Sequence, residues 1–225
     1  MQGIFITGTS TGVGKTHIGV LLAKALLENH IVVIPRKPVE SGCTVEDDEL
    51  MPADAQALMS AAGYDGDLRE VCPYRFQPPV SPARAARLAN RTLTVAELVK
   101  ACHHDGNTGF TLVEGAGGFY SPLADDGLNA DLAAALHLPL LLVAENSLGV
   151  LNQVLLNVEA IRMRGLKLIG VVLNNLDNSQ DGQMDNATDL RERLNCPLYI
   201  QEYGASSLSG DLVNSVVTQP VSAIA

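Results

Sequence analysis

The densest potential chemistry in the chain lies in the run Gly8-Thr9-Ser10-Thr11-Gly12-Val13-Gly14-Lys15-Thr16. Gly8, Gly12 and Gly14 let the main chain turn tightly and approach a ligand without Cβ clashes. Successive backbone N–H groups in such a turn form a concave nest for oxyanions, and the positive N-terminal end of a following helix adds to it. Lys15 supplies a point charge, and the Thr16 hydroxyl is of the type that ligates Mg²⁺ between two phosphates. Thr11 and Val13 complete the turn, and His17 follows at the start of the expected helix. The chemistry indicated is the binding of a nucleoside triphosphate. The common pattern G-x-x-x-x-G-K-[ST] is missed by one position, because Thr9 stands where its first glycine belongs and Gly8 falls one place early.

In open α/β sheets ligands lie beyond the carboxyl ends of the strands, which directs attention to the residues after each apolar run. Arg36-Lys37-Pro38-Val39-Glu40-Ser41-Gly42 follows one run, Glu114-Gly115-Ala116-Gly117-Gly118 another, and Asn174-Asn175 ends a third. Lys37 offers a second cation for a γ-phosphate or an anionic attacking group, although a lone lysine at a strand end is more often simply solvated. Glu114 leaves its strand into a glycine-rich turn, where a carboxylate could ligate Mg²⁺. Asp54 is a second candidate ligand, with the macrodipole of the helix beside it as an equally good alternative role. His103-His104 shows no convincing metal-ligand arrangement and reads as a solvated helix end, and Glu46-Asp47-Asp48-Glu49 reads as a solvated loop.

These groups need a scaffold. Gly3 to Thr7, Ile31 to Ile34, Thr111 to Val113, Leu140 to Ala144, Ile169 to Leu173 and Leu198 to Ile200 are short apolar runs of strand type. Helical character appears at Thr16 to Leu27, Ala55 to Ala62, Thr94 to His103, Asn129 to Leu136 and Val150 to Arg164. Apolar strands alternating with helices predict an α/β fold: a doubly wound, mostly parallel sheet with helices on both faces. The polar stretch Cys43 to Pro52 and the proline-rich stretch Cys72 to Pro82 are expected as loops, the second as a candidate lid. At 225 residues and 47% hydrophobic, without repeats or linker-like tracts, the chain is expected to form one domain over residues 1–225.

A formal charge of −10 repels nucleic-acid phosphates and anionic membranes, so neither is an expected partner. Apolar runs such as Leu138 to Ala144 fall far short of the roughly 20 residues that a membrane-spanning helix needs. Four cysteines without CxxC spacing, and an N-terminal segment without secretory-leader character, fit a soluble protein of the reducing cytoplasm.

Together, Gly8-Thr9-x-Thr11-x-Val13-Gly14-Lys15-Thr16, Lys37-Pro38-Val39-x-Ser41-Gly42, Pro79-x-Ser81-Pro82 and Val113-Glu114-Gly115-Ala116-Gly117-Gly118 resemble the dethiobiotin synthetase family in order and spacing. The match continues through Pro122-Leu123, Leu148-Gly149-x-x-Asn152 and Gly170-Val171-x-x-Asn174. The resemblance implies a P-loop NTPase-like fold and an ATP- and Mg²⁺-dependent ring closure: CO₂ carbamates 7,8-diaminopelargonate, ATP phosphorylates the carbamate, and the second amine displaces phosphate to give dethiobiotin.

By the same resemblance, Lys15 and Lys37 would stabilise charge on the carbamate and the transferred phosphoryl group. Thr16, Asp54 and Glu114 would surround Mg²⁺, while Gly8, Thr11, Gly12, Val13, Gly14 and His17 would contribute to the nucleotide site. Ser41 would hydrogen-bond the diamine end, with Thr11, Lys37, Gly117 and Gly118 also contacting substrate. Asn174 would recognise the base, and Asn175 lies near enough to share that task. Gly149, Val150 and Asn152 match a segment that binds the substrate carboxylate across a homodimer interface. The substrate carries its own nucleophile, so none is required of the protein.

Three positions depart from the family pattern. Gly12 replaces a frequent acidic residue, Gln153 stands where histidine is common, and Gln201-Glu202-Tyr203 lacks the usual Ile-Pro turn beside the base. Two other functions compete with the ligase. An amidating synthetase acting on a corrin-ring carboxylate needs a glutaminase domain, for which this chain has neither the length nor an evident cysteine site. A nucleotide switch of the partner- or membrane-positioning type carries a second lysine where Ser10 stands, and residues 217–225 form no basic amphipathic tail.

Overall fold

The computed structural model describes residues 2–104, 109–178 and 184–218; of residues 217–225, only Val217 and Thr218 fall within these. Six parallel strands form the central sheet: β1 (Gly3–Gly8), β2 (Val33–Arg36), β3 (Phe110–Glu114), β4 (Leu140–Glu145), β5 (Leu168–Asn174) and β6 (Leu198–Gln201), in the order β6-β5-β4-β1-β3-β2. Successive residues of β1 feed opposite sides, Ile4 and Ile6 into one core and Phe5 into the other. Both faces are covered, as a parallel sheet requires. The winding reverses about β1, which puts the loop after this strand at the topological switch point.

The expected strand at Ile31 to Ile34 lies two residues further on. Pro35 reads as a strand breaker, but β2 pairs only with β3 at the sheet edge, where a missing N–H leaves no ladder bond unmade. The expected helices appear close to their predicted limits. They run Lys15–Glu28 (α1), Ala53–Ala61 (α2), Val95–Cys102 (α3), Asn129–Leu136 (α4) and Val150–Met163 (α5). Thr94 and Glu97 close a capping box at the start of α3.

Both expected loops contain strands. Thr44–Glu46 and Glu49–Met51 form an antiparallel hairpin within Cys43 to Pro52, turning on Asp47 and Asp48, both at positive φ. Aspartate tolerates that conformation better than most residues. The hairpin is largely exposed, so no buried face left an alternating apolar signal. Within Cys72 to Pro82, Tyr74–Phe76 pairs in parallel with Val39–Ser41, and a helix begins at Pro82.

Candidate active site

Beyond Gly8 the chain wraps back over the end of β1. Gly12 and Gly14 take φ of +82° and +90°, and Gly14 caps α1. Val13 is buried, and its carbonyl accepts a hydrogen bond from Asn174 Nδ2 at 3.0 Å. Lys15 Nζ donates to the carbonyl of Ser10 at 3.0 Å, folding the side chain over the loop. Burial, and secondarily the neighbouring Lys37, lower the Lys15 pKa to about 8. His17 is exposed in the first turn of α1.

Facing the loop, Lys37 follows β2 with 2% exposure. Its ammonium donates to Glu114 Oε1 at 2.5 Å and to Asp54 Oδ2 at 2.9 Å, with the Gly115 carbonyl at 3.4 Å. Burial opposes the charge on Lys37, but the two carboxylates outweigh it and hold the pKa above the ordinary lysine value. Burial likewise works against ionisation of Asp54; Lys37 prevails, and the Asp54 pKa falls below the usual carboxylate value. Thr16 Oγ1 donates to Glu114 Oε1 at 3.0 Å, while Glu114 Oε2 is buried without a partner.

One hydroxyl and two carboxylates, with an orphaned carboxylate oxygen and an ammonium between the acids, make an oxygen-rich donor set suited to Mg²⁺. No group of three or more His, Cys, Asp and Glu side chains among the described residues is arranged for a metal. A hard cation here would therefore complete its shell with phosphate and water oxygens, the habit of Mg²⁺.

The turn after β3 seals the other side. Phe119 N donates to the Gly8 carbonyl at 3.0 Å, and a Cβ on Gly118 would stand 3.0 Å from the Thr9 carbonyl oxygen. Asn129 ties the turn to β1, its Nδ2 lying 3.3 Å from both Thr7 Oγ1 and the Gly118 carbonyl. Ser41 Oγ donates to the Val80 carbonyl at 2.6 Å, drawing the Pro79–Pro82 segment across the site. The cavity so enclosed measures about 540 Å³. Its lining includes Thr11, Lys15, Lys37, Ser41, Asp54 and Gly117.

Other expected residues lie elsewhere. Asn174 holds the phosphate loop through the Val13 carbonyl. Asn175 belongs to a chain of amides: its Oδ1 accepts from Asn146 at 2.8 Å, its Nδ2 donates to Glu202 at 2.8 Å, and Asn146 accepts in turn from Asn186 at 2.9 Å. It lines a separate recess of about 220 Å³ with Asn146, Leu148 and Leu176. Gly149, Val150 and Asn152 begin α5 outside the larger cavity, with Val150 buried and Asn152 exposed.

Glu40 escaped the sequence reading. It is buried in the site, where Oε1 accepts from Asp54 N and Oε2 from Ala55 N, each at 3.0 Å. Burial raises its pKa, against the pull of Lys37. It occupies the variable position of Lys37-Pro38-Val39-x-Ser41-Gly42, and its contacts lie beyond the hairpin, where no local pattern could reveal them.

A glycine loop opening a helix from the central strand of a parallel sheet, with a buried lysine among acids at neighbouring strand ends, defines a P-loop-type nucleoside triphosphate-binding protein. A family model described as an AAA domain matches residues 2–200. The chain is 41% identical over 182 residues to the ATP-dependent dethiobiotin synthetase BioD of Anaeromyxobacter dehalogenans (strain 2CP-C), covering 80% of each chain. It is 38% identical over 192 residues to that of Ruthia magnifica subsp. Calyptogena magnifica, covering 85% of this chain and 87% of the relative. The chain belongs to the ATP-dependent dethiobiotin synthetase family. The fold is also shared with a ParA family ATPase from Chlorobium tepidum, at a TM-score of 0.51 and 18% identity, covering 96% of this chain and 88% of that one. Among the described residues no helix is long and apolar enough to cross a membrane.

Proposed function

We propose that the protein closes the ureido ring of dethiobiotin from 7,8-diaminopelargonate, CO₂ and ATP, acting in the cytoplasm as a homodimer of single-domain chains. The observation that carries this reading is the pair of lysines at one cavity, Lys15 on the phosphate loop and Lys37 opposite it, with Thr16, Asp54 and Glu114 between them.

One amine adds to CO₂ and loses a proton, giving a carbamate. A carbamate oxygen then attacks the γ-phosphorus of ATP, ADP leaves, and a carbamic–phosphoric anhydride forms. The second amine attacks the anhydride carbonyl, phosphate departs with the C–O bonding pair, and the ring closes with loss of a proton. The loop amides from Gly8 to Thr16 bind phosphate oxygens, aided by the N-terminus of α1. Lys15 follows the charge on the transferred phosphoryl group. Lys37 turns from its two acids toward the carbamate, offsetting the anion in a site where charge is poorly screened.

Thr11, Ser41, Gly117 and Gly118 border the diamine. Because the Ser41 proton is committed to Val80, its oxygen is presented as an acceptor for an amine N–H. Thr16, Asp54 and Glu114 would hold Mg²⁺, which when bound neutralises charge on the β- and γ-phosphates. Asn174, which supports the loop, would recognise the base, and Asn175, tied to Asn146 and Glu202 beside the smaller recess, would share that task. Gly149, Val150 and Asn152 offer the N-terminus of α5 to the carboxylate of a substrate bound in the second copy. Leu156 and Met163 leave exposed apolar surface on this helix.

The test is a substrate-omission assay over a panel of nucleotides. Phosphate release should require both diaminopelargonate and CO₂; equal release with either left out would overturn the reading.

A further inference from the structure

Glu40 is 6% exposed and forms no ion pair among the described residues. Both of its oxygens go to the main chain of α2, and this helix has Pro52 as its N-cap residue, which offers no side-chain acceptor. A carboxylate from 14 residues upstream therefore does the capping. The chain between Glu40 and Asp54 swings out as the exposed hairpin, which gives the start of α2 little support of its own. Asp54 is thus held at its side chain by Lys37 and Thr16 and at its main-chain N–H by Glu40. In the proposed reaction Lys37 leaves the Asp54 carboxylate to meet the carbamate. The Glu40 bond still fixes the main chain that carries the ligand.

We infer that Glu40 is a positioning residue that keeps Asp54 in place for the divalent cation accompanying the nucleotide. This rests on the reading of Asp54 as a metal ligand. The two N–H groups need two acceptors, and a carboxylate provides both. Glutamine provides one carbonyl oxygen and turns donors toward the second N–H, whereas alanine leaves both to water. The hold should weaken from wild type to Glu40→Gln to Glu40→Ala.

The experiment uses Mn²⁺ as the probe. Free ion is counted by electron paramagnetic resonance in the presence of a non-hydrolysable ATP analogue, with the full chain held below the melting temperature of every variant. Glu40→Ala is expected to weaken Mn²⁺ binding about tenfold, as loss of an outer-sphere partner of a metal ligand commonly does, Asp54→Asn at least as much, and Glu40→Gln less than Glu40→Ala. In turnover, the apparent KM for Mg²⁺ should rise in the Glu40 variants while kcat recovers at saturating Mg²⁺. A purely structural role would lower the melting temperature and leave both metal readouts alone. Loss of Mn²⁺ affinity in Asp54→Asn but not in Glu40→Ala would overturn the inference and leave the metal-site reading standing. Unchanged affinity in Asp54→Asn would overturn that reading and the inference with it. If Glu40→Ala does not fold, Glu40→Gln decides: wild-type affinity there overturns the inference.

Discussion

Asn174 occupies the space that a side chain on Gly14 would need: its Nδ2 lies 2.1 Å from where a Cβ on Gly14 would be built. The same nitrogen donates to the Val13 carbonyl, so the end of β5 clamps the phosphate loop from behind. The glycine serves both its own positive φ and the packing of a residue far along the chain.

Gly14→Ala should therefore displace Asn174 as well as strain the loop. Adding about 1 kcal/mol for the left-handed conformation to about 1 kcal/mol for the lost hydrogen bond, we expect about 2 kcal/mol of destabilisation. Urea unfolding measures it, and nucleotide affinity should fall in the same variant.

Lys37→Met should abolish turnover and leave Glu114 buried against Asp54 without a cation. Breaking a buried pair in this way costs about 3 kcal/mol. The two acids would then attract a divalent ion, so the melting temperature of this variant should rise more on addition of Mg²⁺ than that of the wild type. Thermal melts with and without Mg²⁺ make the comparison.

Lys15 gives a pH dependence whose sign follows from its depressed pKa of about 8 against an ordinary 10.5. Between these values the unfolded chain carries a proton that the folded chain lacks, so this residue makes stability rise with pH across that window. Below it, the folded protein bears the penalty of a buried ammonium. Phosphate oxygens favour the charged form, so nucleotide binding at about pH 9 should take up protons. Calorimetry in buffers of different ionisation enthalpy should detect the uptake in wild type and not in Lys15→Met.

Leu156 and Met163 stand seven positions apart on α5, on one face of the helix, and both are exposed. Replacing both by glutamate should convert the proposed dimer to monomer in sedimentation-velocity experiments. Turnover should fall through a higher KM for the diamine, because the substrate carboxylate would lose the second chain.

Much of the scaffold could be read from local pattern. Each central strand coincides with or overlaps an apolar run, because a parallel strand buried on both faces has no polar alternation to disguise it. The phosphate loop is legible for a similar reason, since its function depends on main-chain geometry that glycine spacing records. The hairpin at Thr44–Glu46 and Glu49–Met51 left no such trace, being short and largely exposed. β2 runs past its apolar stretch through Pro35, which its place at the sheet edge permits and no local pattern records.

The sequence by itself determined the alternation of strand and helix, the cradle from Gly8 to Thr16 and the candidate groups Lys37, Asp54 and Glu114, since each depends on residue type and near neighbours. Tertiary structure alone decided which of those groups touch. It set Lys37 between Glu114 and Asp54, Asn174 behind Gly14, and Glu40 at the head of a helix beyond the hairpin. Contacts of this kind join residues from separate strand ends, and the order in which parallel strands assemble comes from crossovers and packing that no local stretch of sequence encodes.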